Sequence, residues 1–206
     1  MRSLFSLSLL TSMVAVVLAY VAKATVIEPI VCVSLFILVF SSRKDENSLL
    51  LTLIFAVVFV LEVLVAFGLK YMVFPAVESY YYENIYAFSI QLILSLLLLF
   101  LLRHRMTISV ILTRGKSASV FEKNYAEGPL YFLVIISALV DFLALMENFL
   151  RNLERLGVNE ETAKLFWEFT FFYDYFEYLK AVPMLLCVLL LYVGLIVRTK
   201  RQPIQN

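Results

Sequence analysis

The stretch Glu168–Val197, EFTFFYDYFEYLKAVPMLLCVLLLYVGLIV, decides the class of this chain. Its second half is an apolar run that only lipid or a dry protein interior accommodates. Its first half sets Glu168, Asp174, Glu177 and Lys180 among aromatic rings. On a helix, Thr170, Tyr173, Asp174, Glu177 and Lys180 fall at i, i+3, i+4, i+7 and i+10, which gathers them into a polar stripe while Phe169, Phe172 and Phe176 point elsewhere. Pro183 follows, removing one backbone hydrogen bond and permitting a kink between the polar and the apolar part.

The rest of the chain has the same character. Hydrophobic residues make up 63% of it, and the mean hydropathy is +0.92, well above a soluble domain, of which roughly half is apolar. Apolar runs bounded by charge, Gly or Pro lie at about 3–22, 26–40, 48–69, 84–102, 129–147 and 181–197, each long enough to be read as a membrane span. The expectation is an all-α bundle of six transmembrane helices in a single domain covering residues 1–206. Its 17 basic and 16 acidic residues nearly cancel, and nucleic acid is not expected as a partner because such binders concentrate positive charge on one face.

Orientation follows from the basic residues, which short loops retain on the cytoplasmic side. Arg2, Arg43, Lys44, Arg103, Arg105, Arg114, Lys116, Lys123, Arg198, Lys200 and Arg201 fall at the termini or in alternate connections. Both termini are therefore expected in the cytoplasm, in a cell membrane of the bacterial inner-membrane kind. The opposite side collects tyrosines and acidic residues, including ESYYYENIY at 78–86, which suit a membrane-water boundary. The first apolar run ends in Ala22-Lys23-Ala24, a pattern compatible with signal cleavage. Its length of about 20 residues favours a retained span instead, and Ser8, Ser12, Ala15 and Ala19 would give that span a seam of small residues.

Between the last two spans, Arg151, Arg155 and Gly157 mark a helix end near Leu156, and Asn159 with Glu160 and Glu161 marks a new helix start. A connection this short predicts a helical hairpin. Its second helix, from about 160 to 198, would be nearly 60 Å long at 1.5 Å per residue, so the tip should protrude on the non-cytoplasmic side.

Polar residues recur at similar depth in several spans: Glu62 in the third, Gln91 in the fourth, Asp141 in the fifth, and Tyr173, Asp174, Glu177 and Lys180 leading into the sixth. Counting inward from the cytoplasmic ends sets Glu62, Gln91, Asp141 and Lys180 within about two turns of one another, whereas reflection across the hairpin sets Asp141 beside Asp174, so proximity is expected and no specific pair. A carboxylate in mid-membrane costs at least about 2.5–3.5 kcal/mol and must find a partner, face the bundle or take a proton. Two arrangements meet that demand. One is an ion-paired plug in which Lys180 satisfies Asp141, Glu177 or Glu62; the other is an outward-facing cavity that binds a small cation, proton or small-molecule solute.

Other chemistry finds little support. His104 is the single histidine and sits between Arg103 and Arg105, which leaves serine-histidine hydrolysis and multi-histidine metal sites without their parts. The RGKS at 114–117 lacks the glycine a phosphate loop requires, since Val110 stands there. SALVDF around Asp141 lacks the GxGD of intramembrane aspartyl proteases. Cys32 and Cys187 lie in apolar runs and read as small buried hydrophobes. No cofactor, metal or catalytic set is expected. Two classes of function remain: a small transporter, channel or solute-binding membrane subunit, and a non-catalytic scaffold or assembly subunit that docks a membrane-protein partner through the protruding hairpin. The lipid bilayer is a partner in either case.

Overall fold

The computed structural model describes residues 24–113, 122 and 124–201. The first apolar run at 3–22, the cleavage question and the RGKS segment lie outside the described residues. Among those described, every regular element is helical. We number the α-helices α1 (Ala24–Ser41), α2 (Glu46–Gly68), α3 (Tyr80–Arg103), α4 (Arg105–Thr113), α5 (Glu127–Arg151), α6 (Glu160–Lys164) and α7 (Phe171–Arg201).

Local chemistry explains most boundaries. Asp45 starts α2 by accepting the Ser48 backbone N–H, and Ser79 starts α3 by accepting that of Tyr81, each satisfying a donor that a helix start leaves orphaned. α2 leaves its regular path through a π-helical turn, Leu69–Val73, and a 3₁₀ turn, Phe74–Ala76, where Pro75 has no N–H to continue the ladder. Near the predicted hairpin tip, α5 stops at Arg151 and a 3₁₀ turn covers Leu153–Leu156. Gly157 then takes a φ of 86°, a left-handed conformation that a side chain would strain. Asn159 caps α6 as expected, accepting the Glu161 N–H at 3.2 Å.

Two expectations need correction here. The helix foreseen from about 160 to 198 is interrupted, because residues 165–170 form turns between α6 and α7. Thr170 therefore falls outside the helix that carries the rest of the stripe. α7 has 31 residues, about 46 Å rather than nearly 60 Å, and runs through Pro183 as one helix. Cys32 is exposed rather than buried, whereas Cys187 is buried; both are free thiols.

Helix contacts run α1 to α2, α2 to α3, α3 to α5, α5 to α7 and α7 back to α1, closing a ring, with α2 also touching α7 across it. The pairs Glu147 with Tyr173 and Asp141 with Lys180 advance in opposite directions along α5 and α7, so these two helices are antiparallel. Leu35, Leu51, Leu130 and Leu191 pack in the ring's interior. Its outside is just as apolar: Phe36, Phe67, Ile93 and Phe132 are each more than half exposed. Soluble monomers rarely carry so continuous an apolar exterior. Among the described residues, four helical segments, Glu46–Ala76, Tyr80–Arg103, Glu127–Arg151 and Phe171–Lys200, are long and apolar enough to cross a membrane. The outward-facing side chains suit contact with lipid.

Candidate functional site

Three helices bring the mid-span polar group together. Lys180 of α7 donates to Asp141 Oδ2 of α5 at 2.8 Å and to Ser95 Oγ of α3 at 3.2 Å. The Ser95 hydroxyl in turn donates to the same Asp141 oxygen at 2.6 Å. Asp141 is fully buried and its Oδ1 has no hydrogen-bond partner. An ammonium, a hydroxyl and a carboxylate therefore share one knot. The lysine ammonium is thus engaged by both the Asp141 carboxylate and the Ser95 hydroxyl.

Around the knot lie cavities between the helices. An inner cavity touches all five helices of the ring, through Val31 of α1, Phe55 of α2, Ser95 of α3, Ser137 of α5 and Cys187 of α7. A second chamber is bounded by Glu28 of α1, Glu62 of α2, Gln91 of α3, and Phe176, Glu177 and Lys180 of α7. A third lies between α3 and the irregular end of α2, where Leu69, Phe74, Ala87 and Ile90 meet Glu62 and Gln91. Glu62 is the single residue that borders all three. No hydrogen bond or ion pair joins its carboxylate to another described residue.

The predicted site residues thus separate into groups. Asp141 and Lys180 form the knot, while Glu62, Gln91 and Glu177 line the chamber beside it. Tyr173 and Asp174 are exposed and border none of these cavities. Tyr173 is placed instead by its backbone. Its N–H and that of Phe172 donate to the two carboxylate oxygens of Glu147 at 2.8 Å, so a buried side chain of α5 caps the first turn of α7. The Arg151 guanidinium lies 5.2 Å from the centre of the Tyr173 ring.

Sequence reasoning missed Glu28, Glu147 and a second polar layer at the other end of the ring. Asp45, at the start of α2, takes a two-pronged contact from Arg198 of α7 at 2.6 and 3.0 Å, and Arg198 also reaches Glu122 at 3.1 Å. Beside it Arg105 of α4 grips both oxygens of Glu127 at 3.1 and 2.9 Å and donates to Asn47 Oδ1 at 2.7 Å. The sequence sets Arg105 and Arg198 among the basic residues at the termini and in alternate connections. They are 2% and 6% exposed, because each planar guanidinium finds a carboxylate that matches its fork. Burial pushes the Asp45 carboxyl up, but the bonds and charge of Arg198, helped by Ser48, outweigh it and hold the group below its ordinary value. Asp45 preceding a serine-containing helix start was the one available signal, and its distance of 153 positions from Arg198 hid the partner.

His104 is exposed and lies against Phe100, with ring centres 4.4 Å apart and the planes tilted by 48°. Among the described residues no three His, Cys, Asp or Glu side chains converge closely enough to hold a metal ion. No protein-family model, curated protein or solved structure matches the chain.

Proposed function

We propose that the protein is a small transporter, channel or solute-binding membrane subunit whose inter-helical chamber accepts a cation or a proton. The single observation that carries this reading is the position of Glu62: an acidic group with no hydrogen bond or ion pair to another described residue stands where three cavities meet. The ammonium that borders the same chamber, Lys180, is already held by Asp141 at 2.8 Å. Three carboxylates around the chamber, Glu28, Glu62 and Glu177, leave it with excess negative charge in surroundings of low polarity, where a cation is attracted more strongly than it is in water. We place six helices in the membrane, counting the run at 3–22 and α1, with both termini on the cytoplasmic side of a bacterial inner membrane. The basic residues of the loops support that orientation. The chamber then opens away from the cytoplasm, while the Asp45–Arg198 and Arg105–Glu127 layer closes the opposite end.

Flux measurements test the reading. In proteoliposomes carrying an imposed proton or monovalent-cation gradient, the parent protein should dissipate the gradient, Glu62→Gln should lose most of that activity, and Asp141→Asn should impair it. A parent protein that leaves every such gradient intact removes the transport reading.

A second reading, a scaffold or assembly subunit, rests on a different observation. Leu165, Trp167, Phe169 and Phe171 cluster between α6 and the start of α7 and are 42–73% exposed. Rings and a leucine at the end of a bundle are what a docking partner buries. Photo-crosslinking from residue 165 or 167 in native membranes should capture one defined protein if this reading holds, and lipid alone if it does not.

A further inference from the structure

The geometry points to an amphiphilic organic monocation, an alkyl- or arylammonium, as the ligand of the chamber around Glu62. This rests on the cation-chamber reading above and narrows the ligand class.

The chamber and the neighbouring groove share Glu62, Ala66, Gln91 and Phe176, so their walls meet at one acidic group and one ring. Beyond these four, the chamber wall mixes Glu28, Glu177 and Lys180 with the apolar Phe59, Val63 and Met184, while the groove is lined by hydrocarbon such as Val65, Leu69 and Phe74. A bare inorganic ion is poorly served by such walls, because it must exchange its water for several oxygen ligands. Neither the chamber nor any other set of described residues supplies three acidic, His or Cys groups at metal-binding separation. An ammonium with a hydrophobic body needs much less. One carboxylate takes the charge, the Gln91 amide oxygen can accept an N–H, Phe59 and Phe176 put aromatic rings in the wall beside a cation, and the apolar groove receives the tail.

The charges facing the chamber agree with this assignment. Lys180 would repel a cation, but its ammonium is engaged by Asp141 and Ser95. Glu28 and Glu177 add negative charge at the wall without an ion pair of their own to another described residue. The groove lies against the π-helical turn Leu69–Val73, a distortion that recurs at functional sites. There the loss of regular helix spacing makes room beside α3.

Equilibrium dialysis of radiolabelled octylamine against the full chain in lipid nanodiscs, with empty nanodiscs as the baseline, tests the assignment. The parent should bind saturably above the baseline, and 1-octanol, which has the same tail without the charge, should not compete. Glu62→Gln should weaken binding by at least about tenfold, the effect of removing one charged partner from a site of low polarity. Phe176→Leu should weaken it less, and Glu154→Gln, at the exposed tip, should leave it unchanged. If Glu62→Gln does not fold, Glu62→Asp keeps the charge and should retain binding when it elutes as the parent does. Binding no greater than in empty discs, equal competition by octanol, or an unaltered affinity in Glu62→Gln would overturn the assignment. Saturable octylamine binding without flux of any cation supports the ligand class and removes transport; proton or sodium flux without octylamine binding does the reverse.

Discussion

Single side chains in this protein are held by a few strong, buried, charge-assisted contacts. The Asp141–Lys180 pair is the clearest, with 0% and 11% side-chain exposure. Removing one partner strands the other in a medium that cannot solvate it, which costs about 3–5 kcal/mol, whereas replacing both with apolar groups of similar volume is often close to neutral. In a double-mutant cycle followed by thermal unfolding, Asp141→Leu and Lys180→Met should each destabilise strongly and the double variant should recover much of the loss. Additive losses would show that the two groups act independently. Asp45 makes a prediction about pH. Its carboxyl is held below the ordinary value in the fold, so the folded state binds fewer protons near that range than the unfolded state does. The contribution is complete above the unfolded value of about 3.9 and disappears as pH falls through the lower folded value. Melting temperatures measured in detergent from pH 7 downward should therefore drop below about pH 4 in the parent. Asp45→Asn, unstable throughout, should show a shallower drop. Identical pH profiles would place the acid sensitivity elsewhere.

The helices show where local rules suffice and where neighbours decide. Asp45, Ser79 and Asn159 behave as their sequence contexts suggest, because a cap bonds within two or three residues of itself. The start of α7 obeys no such rule: its first N–H groups are satisfied by Glu147, 25 positions away, and the segment at 165–170 is free to turn. That tertiary cap stands where the long helix anticipated from Asn159 onward resumes after its break. Close packing at Gly194 is equally invisible in the sequence. A Cβ there would meet the Ala126 Cβ at 2.9 Å and the Asn124 side chain at 3.5 Å, so α7 approaches the segment before α5 with no space for a methyl group. Gly194→Ala should lower stability by about 1–3 kcal/mol, the usual effect of overpacking, and Ala126→Gly in the same chain should restore part of it. Unchanged stability in Gly194→Ala would mean that the two segments separate easily.

The whole bundle is a ring with two polar layers and apolar surfaces inside and out. If lipid surrounds it, brominated acyl chains should quench a tryptophan placed at Phe132 or Phe36, 61% and 64% exposed, far more than one placed at Phe59, 6% exposed. The measurement uses a Trp167→Phe background to remove the native indole, and equal quenching at all three positions would contradict the arrangement. Hydropathy alone supplied the existence and approximate limits of α1, α2, α3, α5 and the inner half of α7 and their compatibility with a membrane, because the cost of placing a side chain in lipid is set by its own chemistry and adds up along a segment. The candidate site was legible only as a depth, at Glu62, Gln91, Asp141 and Lys180. Packing of the helices decided that Lys180 closes on Asp141 and Ser95, that Glu62 is left facing three cavities, and that Arg105 and Arg198 leave the water to meet Glu127 and Asp45. Such pairings depend on the rotation and relative height of helices whose contacting residues lie as many as 153 positions apart. No local property of either residue records that geometry.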